Sequence, residues 1–353
     1  MNPAILRASA ALVAVALAAL ALSGCTTAKQ AEAQANAAAN GLCPVQQADE
    51  VTATVRIGYQ AIPNANLLVK DKGWLETCMP NATVSWIKFD SGADVVQGFG
   101  SGSVDVATLG SSPATKALSA PLNVDMKVVW IDDVIGKAES LVVRDQSVTD
   151  IAQLKGKTIT TPFSSTSHFS LLQALESAGL NPSQDVKLVN LSPDKMLGAW
   201  QGGQVDAAWV WDPVLSELAK SGHIITGSDK TAAMGKPTFD LEGATSAFVS
   251  ANPQFMQTWT AIQNHAVQQL SSDPDDAAQS ISVQLGATPA AVGAQLPGYT
   301  FPDAAQQVEL MAALPKQLSV TAEFLKTQGG VDSVSPEKTY VDGVYVDAIK
   351  KVA

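Results

Sequence analysis

The sequence predicts an α/β protein built as two lobes around a ligand cleft. Three observations lead there. Short β-rich runs alternate with helical patterns along most of the 353 residues, the mark of α/β architecture on largely parallel sheets. A nine-residue unit, Phe99-Gly-Ser-Gly-Ser-Val-Asp-Val-Ala107, returns about a hundred residues later as Trp200-Gln-Gly-Gly-Gln-Val-Asp-Ala-Ala208. After Gly243 the strand signals thin out and the chain reads mainly as helices.

Taken in order, the N-terminus sets the compartment. A short basic start ends at Arg7, an apolar run extends from Ala8 to Leu22, and Leu22-Ser23-Gly24-Cys25 follows. The run is shorter than the roughly 20 residues of a spanning helix, and small residues come after it rather than a charged flank. Residues 1–24 therefore read as a signal peptide. The last four residues resemble the lipobox of bacterial lipoproteins, which implies cleavage before Cys25 and a diacylglyceryl group on its thiol. Residues 25–41 have no large apolar side chain to bury and read as a flexible tether. With Cys25 lipidated, Cys43 and Cys78 remain. In an oxidising compartment they are expected to be bridged, provided the fold brings their Cα atoms within reach.

The remaining chain, about 310 residues, exceeds one ordinary domain. Strands are predicted at Thr54–Tyr59, Thr83–Phe89, Val104–Leu109, Lys127–Ile131, Ser140–Arg144, Thr158–Thr161, Val186–Asn190 and Asp206–Trp211. Helices are predicted at Ala93–Gly100, Thr149–Leu154, Ser167–Ala178 and Lys195–Gln201. Leu171, Leu172, Leu175 and Ala178 mark one side of the third of these, which Gly179 stops. In both copies of the echoed unit an apolar helix end meets a glycine turn and an Asp starts a strand. Each strand then runs into a loop, Gly110-Ser111-Ser112-Pro113 or Trp211-Asp212-Pro213. Two lobes of similar build follow. The predicted tail helices, Pro253–Leu270, Pro274–Gln284, Pro289–Gln295, Asp303–Leu314 and Val320–Gln328, wrap back onto the first lobe. Crossings near Glu139 and Asp240 divide the chain into lobe 1, residues 42–138 plus 241–353, and lobe 2, residues 139–240.

Open α/β sheets bind ligands beyond the carboxyl ends of their strands, where helix N-termini present free N–H groups. Two segments fit. Leu109–Pro113 ends a strand in glycine and places Ser111 and Ser112 before a proline suited to a helix's first turn. Pro162–His168 places Ser164, Ser165, Thr166 and Ser167 where a helix opens. Capping uses one hydroxyl per helix. Four in a row exceed that need, and neither loop contains Lys or Arg, so hydroxyls and amides are expected to hold an oxyanion. Glu139 and Asp240 could hold a cation if both face one cleft, or stand exposed on connecting strands. Trp211 is the aromatic expected to wall the pocket, with Trp200 and Trp209 in the core.

Phe89-Asp-Ser-Gly92, Leu109-Gly-Ser-Ser-Pro113, Pro162–Leu172, Asn190-Leu, Ala199-Trp-Gln201, Trp209-Val-Trp211-Asp-Pro213 and Pro237-Thr-Phe-Asp240 carry a family likeness. In order from about Val55 to Leu241, and more weakly through Phe324–Gly329, they resemble the taurine branch of the taurine, alkanesulfonate and nitrate solute-binding family of ABC importers. The resemblance implies a type II periplasmic-binding fold and a ligand that is taurine or a related sulfonate, passed to the importer's membrane subunits. It also implies that Ser111, Ser112, Ser165, Thr166, Ser167 and His168 belong to the segments cradling the sulfonate, that Glu139 and Asp240 hold the ammonium, and that Gln60 is a further contact. Leu241-Glu-Gly-Ala-Thr245 departs from the family's apolar strand, and the Cys43/Cys78 pair is an addition.

Other classes fit poorly. A net charge of −11 argues against nucleic acid, which needs a basic face. Ser165 or Ser167 beside His168 invites a hydrolase reading, but the Gly-x-Ser-x-Gly elbow is missing. His168, His223 and His265 stand apart, and no P-loop or dinucleotide fingerprint occurs, so no metal, cofactor or catalysis is expected. The expectation is a monomeric binding protein outside the cell membrane, held there through lipid on Cys25. The competing ligands are other alkanesulfonates, nitrate and a thiamine-precursor pyrimidine. Nitrate would leave Glu139 and Asp240 without purpose, and a pyrimidine would need aromatic stacking and a larger pocket.

Overall fold

The computed structural model describes residues 42–353, so the segments read from sequence as signal peptide and tether, Cys25 included, lie outside the described residues. Eleven strands are present among them: β1 (Thr54–Tyr59), β2 (Thr83–Lys88), β3 (Val106–Gly110), β4 (Met126–Ile135), β5 (Glu139–Val143), β6 (Thr158–Thr161), β7 (Lys187–Asn190), β8 (Ala207–Trp211), β9 (His223–Gly227), β10 (Phe239–Thr245) and β11 (Tyr299–Thr300). They form two sheets, ordered β11-β4-β10-β3-β1-β2 and β7-β6-β8-β5-β9. The first takes its strands from both ends of the described chain and the second from the stretch between. Phe239 and Asp240 are hydrogen-bonded into the first sheet.

The sheets are mixed rather than largely parallel. In the first, β1 pairs in parallel with β2 and β3, and antiparallel β10 then lies between β3 and β4. In the second, β6 pairs in parallel with β7 and β8, and antiparallel β5 follows. The runs β2-β1-β3-β10 and β7-β6-β8-β5 are thus the same pattern. The echoed unit ends in β3 in one and β8 in the other. Its aspartates do the same work in both copies. Asp105 accepts from the Arg56 amide at 2.9 Å and Asp206 from the Thr158 amide at 2.8 Å, each tying the start of one strand to its parallel neighbour. The glycines of the two turns, Gly102 and Gly203, share a left-handed φ of 66° and 67° that a side chain would resist.

Five helices bear on the site and its support: α1 (Ala65–Lys72), α2 (Ser111–Leu118), α3 (Thr166–Ser177), α4 (Pro253–Ser272) and α5 (Ala304–Thr327). Phe255, Met256, Trp259 and Ile262 of α4 join Val55 and Ile57 of β1 in one buried apolar cluster, so the tail does pack onto the first sheet. Two predicted helices, Asp303–Leu314 and Val320–Gln328, are one. Asp303 and Gln306 form a reciprocal cap at its start, and the helix runs through Pro315. Met311, Leu314, Leu318 and Ala322 are buried along it, and that packing outweighs the backbone bond the proline removes. Cys43 and Cys78 are bridged, with Cα atoms 4.9 Å apart, which ties the first described residues to the helix Trp74–Cys78.

Candidate functional site

The carboxyl ends of the two sheets face each other, and the cleft between them is lined by Gln60, Glu139, Ser165, Thr166, Trp211 and Asp240 among the residues expected from sequence. The space among these residues is about 330 Å³, part of it open to solvent. Helix α2 starts at Gly110, where no side chain caps it, so the Ser111 and Ser112 amides of its first turn have no intrahelical acceptor. Helix α3 starts after Ser165, whose Oγ accepts from the His168 amide at 3.1 Å and donates to the Pro162 carbonyl at 2.6 Å. Ser164 turns the chain into this cap with a left-handed φ of 63°. The two helix starts touch. A Cβ built on Gly110 would lie 2.7 Å from Thr166 Cγ2. Lys116 Nζ, one turn farther along α2, donates to Ser164 Oγ at 3.2 Å.

The hydroxyl run is more engaged than its sequence suggests. Ser165 is a cap, Thr166 donates to Glu139 Oε2 at 2.6 Å, and Ser167 Oγ is buried without a partner beside the same carboxylate. Ser111 Oγ accepts from the Phe239 amide at 3.2 Å, and Ser112 Oγ is buried and unpartnered. Ser111, Ser112, Ser167 and His168 stand behind the lining rather than in it. The His168 ring stacks on Phe163 at 4.6 Å between centroids, and Nδ1 accepts from the Ser164 amide at 3.3 Å. Burial, helped by Lys116, holds its pKa down at about 4, so it is neutral and orders the loop. What the helix starts chiefly offer an anion is free backbone N–H and dipole.

Beside these helix starts the cleft is acidic, for Thr166 meets Glu139 and Gly110 is the cross-strand partner of Asp240. Glu139 is buried, and its two oxygens accept from Thr166 and, at 2.9 Å, from Ser228. Burial raises its pKa and these hydroxyls oppose the rise. Asp240 is also buried, and burial followed by the nearby Glu139 and Asp132 charges pushes its pKa well above the carboxylate range. Gln60 donates to the Thr108 carbonyl at 3.0 Å, which fixes its amide at the cleft floor. Trp211 faces the cleft while Trp200 and Trp209 are core.

Comparison with known proteins matches residues 48–285 to the model of the NMT1-like family. The chain belongs to this family. Among curated members of similar sequence, a taurine-binding periplasmic protein of Escherichia coli K12 is 34% identical over 313 residues, covering 85% of this chain and 94% of its own. Among solved structures, the alkanesulfonate-binding protein of Xanthomonas axonopodis pv. citri bound to MOPS superposes with a TM-score of 0.70 at 24% identity, covering 83% of this chain and 98% of that one. A desulfurization enzyme superposes with a TM-score of 0.61 at 17% identity, covering 85% and 98%. The fold of this NMT1-like chain is therefore the two-lobed periplasmic-binding architecture, and the likeness to taurine-binding proteins read from its motifs holds across the chain.

Several lining residues of this NMT1-like site escaped the sequence reading. Tyr299 lines the cleft with its hydroxyl buried and unpartnered. It sits on β11, a two-residue strand that no periodicity reveals. Ile62 and Ile135 add apolar walls, while Gly92, which closes the Phe89-Asp-Ser-Gly92 motif already named from sequence, admits Pro113, whose Cγ would lie 2.6 Å from a Cβ there.

Proposed function

We propose that this chain is the extracytoplasmic binding component of an ABC importer, anchored by lipid on Cys25, and that its ligand is taurine. One observation carries the ligand reading. A small cleft sets two uncapped or backbone-rich helix starts against buried carboxylates, the arrangement that a short zwitterion with an anionic and a cationic end would complete. The sulfonate is held at the amides of Ser111, Ser112, Thr166 and Ser167, where dipole and N–H donors favour an anion without a cationic side chain. The ammonium is held at Glu139 and Asp240, where it forms charge-assisted hydrogen bonds and relieves buried acids that otherwise keep protons. Trp211 and the isoleucines exclude water between the two ends.

Other alkanesulfonates are the second reading, favoured by the engagement of both Glu139 oxygens within the protein. The desulfurization neighbour gives no support to an enzyme, because a likeness at 17% identity speaks to fold alone.

Calorimetric titration of the domain lacking the tether, with taurine, ethanesulfonate and nitrate in parallel, separates these readings. Taurine is expected to bind at least about tenfold more tightly than ethanesulfonate, a difference of roughly 1.4 kcal/mol. Asp240→Asn is expected to erase most of that preference. Equal affinities for taurine and ethanesulfonate in the wild type would remove the carboxylates from the site.

A further inference from the structure

Strands β4 and β10 place Asp133 directly opposite Asp240. Cross-strand partners share a face with Cβ atoms about 4.5–5.5 Å apart, and like charges in that position destabilise a sheet. Asp240 lines the cleft, and Asp133, its cross-strand neighbour on the same face, lies just behind that lining. On its other side Asp240 faces Gly110, which has no side chain to intervene. Asp133 is fully buried and neither of its oxygens meets a hydrogen-bond donor of sound geometry, the Asp240 amide offsetting this only in part. None of the ion pairs among the described residues includes it. An uncompensated buried carboxyl is costly, so this pair is a device rather than a neutral feature of the strand.

A second observation points to a ligand at the same place. The Tyr299 side chain is more than nine-tenths buried, lines the cleft beside Asp240, and leaves its hydroxyl without a partner, in the field of Asp212, Asp133 and Asp240. Glu139 differs, since both its oxygens already accept hydroxyl donors.

We propose that Asp133 is a second cation-holding carboxyl of this site, gripping the ligand's ammonium jointly with Asp240, and that it makes the site selective for ligands with a primary amine. A primary ammonium has three N–H donors, and Asp133, Asp240 and the Tyr299 hydroxyl are three acceptors without other work. The next acids inward, Asp132 and Glu242, lie near each other, while Asn66 at 2.9 Å and Thr108 hold Glu242 from behind. Neither is in cross-strand register with a lining residue, as Asp133 is with Asp240. The inference rests on the ammonium reading above and adds the residue that sequence did not provide.

The test titrates wild type, Asp133→Asn, Asp240→Asn and the inner control Asp132→Asn with taurine and ethanesulfonate, and records the melting temperature of each unliganded protein. Asp133→Asn is expected to weaken taurine by about tenfold or more and ethanesulfonate by less than about twofold. Its unliganded melting temperature is expected to stay level or rise, because a buried repulsion is removed. Unchanged taurine affinity would overturn the role of Asp133 while leaving the ammonium reading intact. Equal loss of both ligands with a lowered melting temperature would make Asp133 structural. A wild type that binds no taurine would sink both readings together. Should Asp133→Asn fail to fold, Asp133→Ser is smaller, hydrogen-bonds, and yields the same comparison.

Discussion

At the scale of single residues, one methyl group probes how the cleft closes. The backbone of Gly110 has φ −68°, which alanine adopts freely, yet its Cβ would press on Thr166 across the cleft. Overpacking of this kind costs about 1–3 kcal/mol where neighbours cannot move. The cost in Gly110→Ala is expected to fall on the arrangement in which the two helix starts touch and present their amides to one ligand. Ligand affinity is expected to drop roughly tenfold by calorimetry, with the unliganded melting temperature nearly unchanged. A fall in melting temperature equal to the affinity loss would place the clash in a permanent contact instead. Gly110 was legible in sequence as part of Gly-Ser-Ser-Pro, and Gln60, Glu139, Ser165, Thr166, Trp211 and Asp240 do come together at the cleft. Asp133 was not legible. Two consecutive aspartates after Ile131 read as the end of a strand, whereas β4 continues to Ile135, carries a register shift there, and leaves Asp132 without a cross-strand partner. Which hydroxyls are engaged was also hidden, because Thr166 meets Glu139 only through the fold.

At the scale of elements, the bridge from Cys43 to Cys78 closes a sequence separation of 35 residues over the first parallel strand. Loop-closure entropy for such a span is worth about 4 kcal/mol, with roughly 2–4 typical of measured cases. The double substitution Cys43→Ala with Cys78→Ala is expected to lower the denaturation midpoint by a corresponding amount. Taurine affinity should be preserved, since neither cysteine lines the cleft. Strands such as β1 and β6 were legible to the residue because β-branched side chains fill them. Strand β10 was not, since its Asp240, Glu242 and Gly243 are poor strand formers in isolation. It is held as a central strand by ladders on both sides, and Gly243 fits there because Met126 Cε would lie 2.5 Å from any Cβ. Tertiary pairing decided that element, and local propensity could not report it.

At the scale of the whole molecule, the acids gathered about the cleft tie stability to pH. Asp132 and Asp133 on β4, Glu139 on β5 and Asp240 and Glu242 on β10 face one another, with Tyr299 on β11 and Asp212 beyond β8 nearby. Burial raises these carboxyls in the folded chain, Asp132 to about 7, and mutual repulsion adds to the rise at Asp133, Asp240 and Glu242. Unfolded, such groups titrate near 4. Below about pH 4 both states hold the protons and this stabilisation is fully present. Above it the unfolded chain sheds protons that the folded chain keeps, and stability falls as pH rises through the folded values. The unliganded protein is expected to melt several degrees lower at pH 8 than at pH 5, with a shallower slope in Asp132→Asn. Taurine at saturation should recover more at pH 8, where its ammonium replaces protons already leaving. Melting curves across pH with and without ligand check this, and a flat profile would mean that the acids do not hold these protons.

The meeting of helices α2 and α3 at Gly110 and Thr166 has one more consequence. Two positive dipole ends brought nose to nose repel unless something negative lies between them. On the function proposed above, an empty molecule resists shutting, and the anionic end of the ligand is the mortar that lets the two halves set. A docking partner that feels only the outer shape of this protein could then tell a loaded carrier from a vacant one without ever touching what it carries.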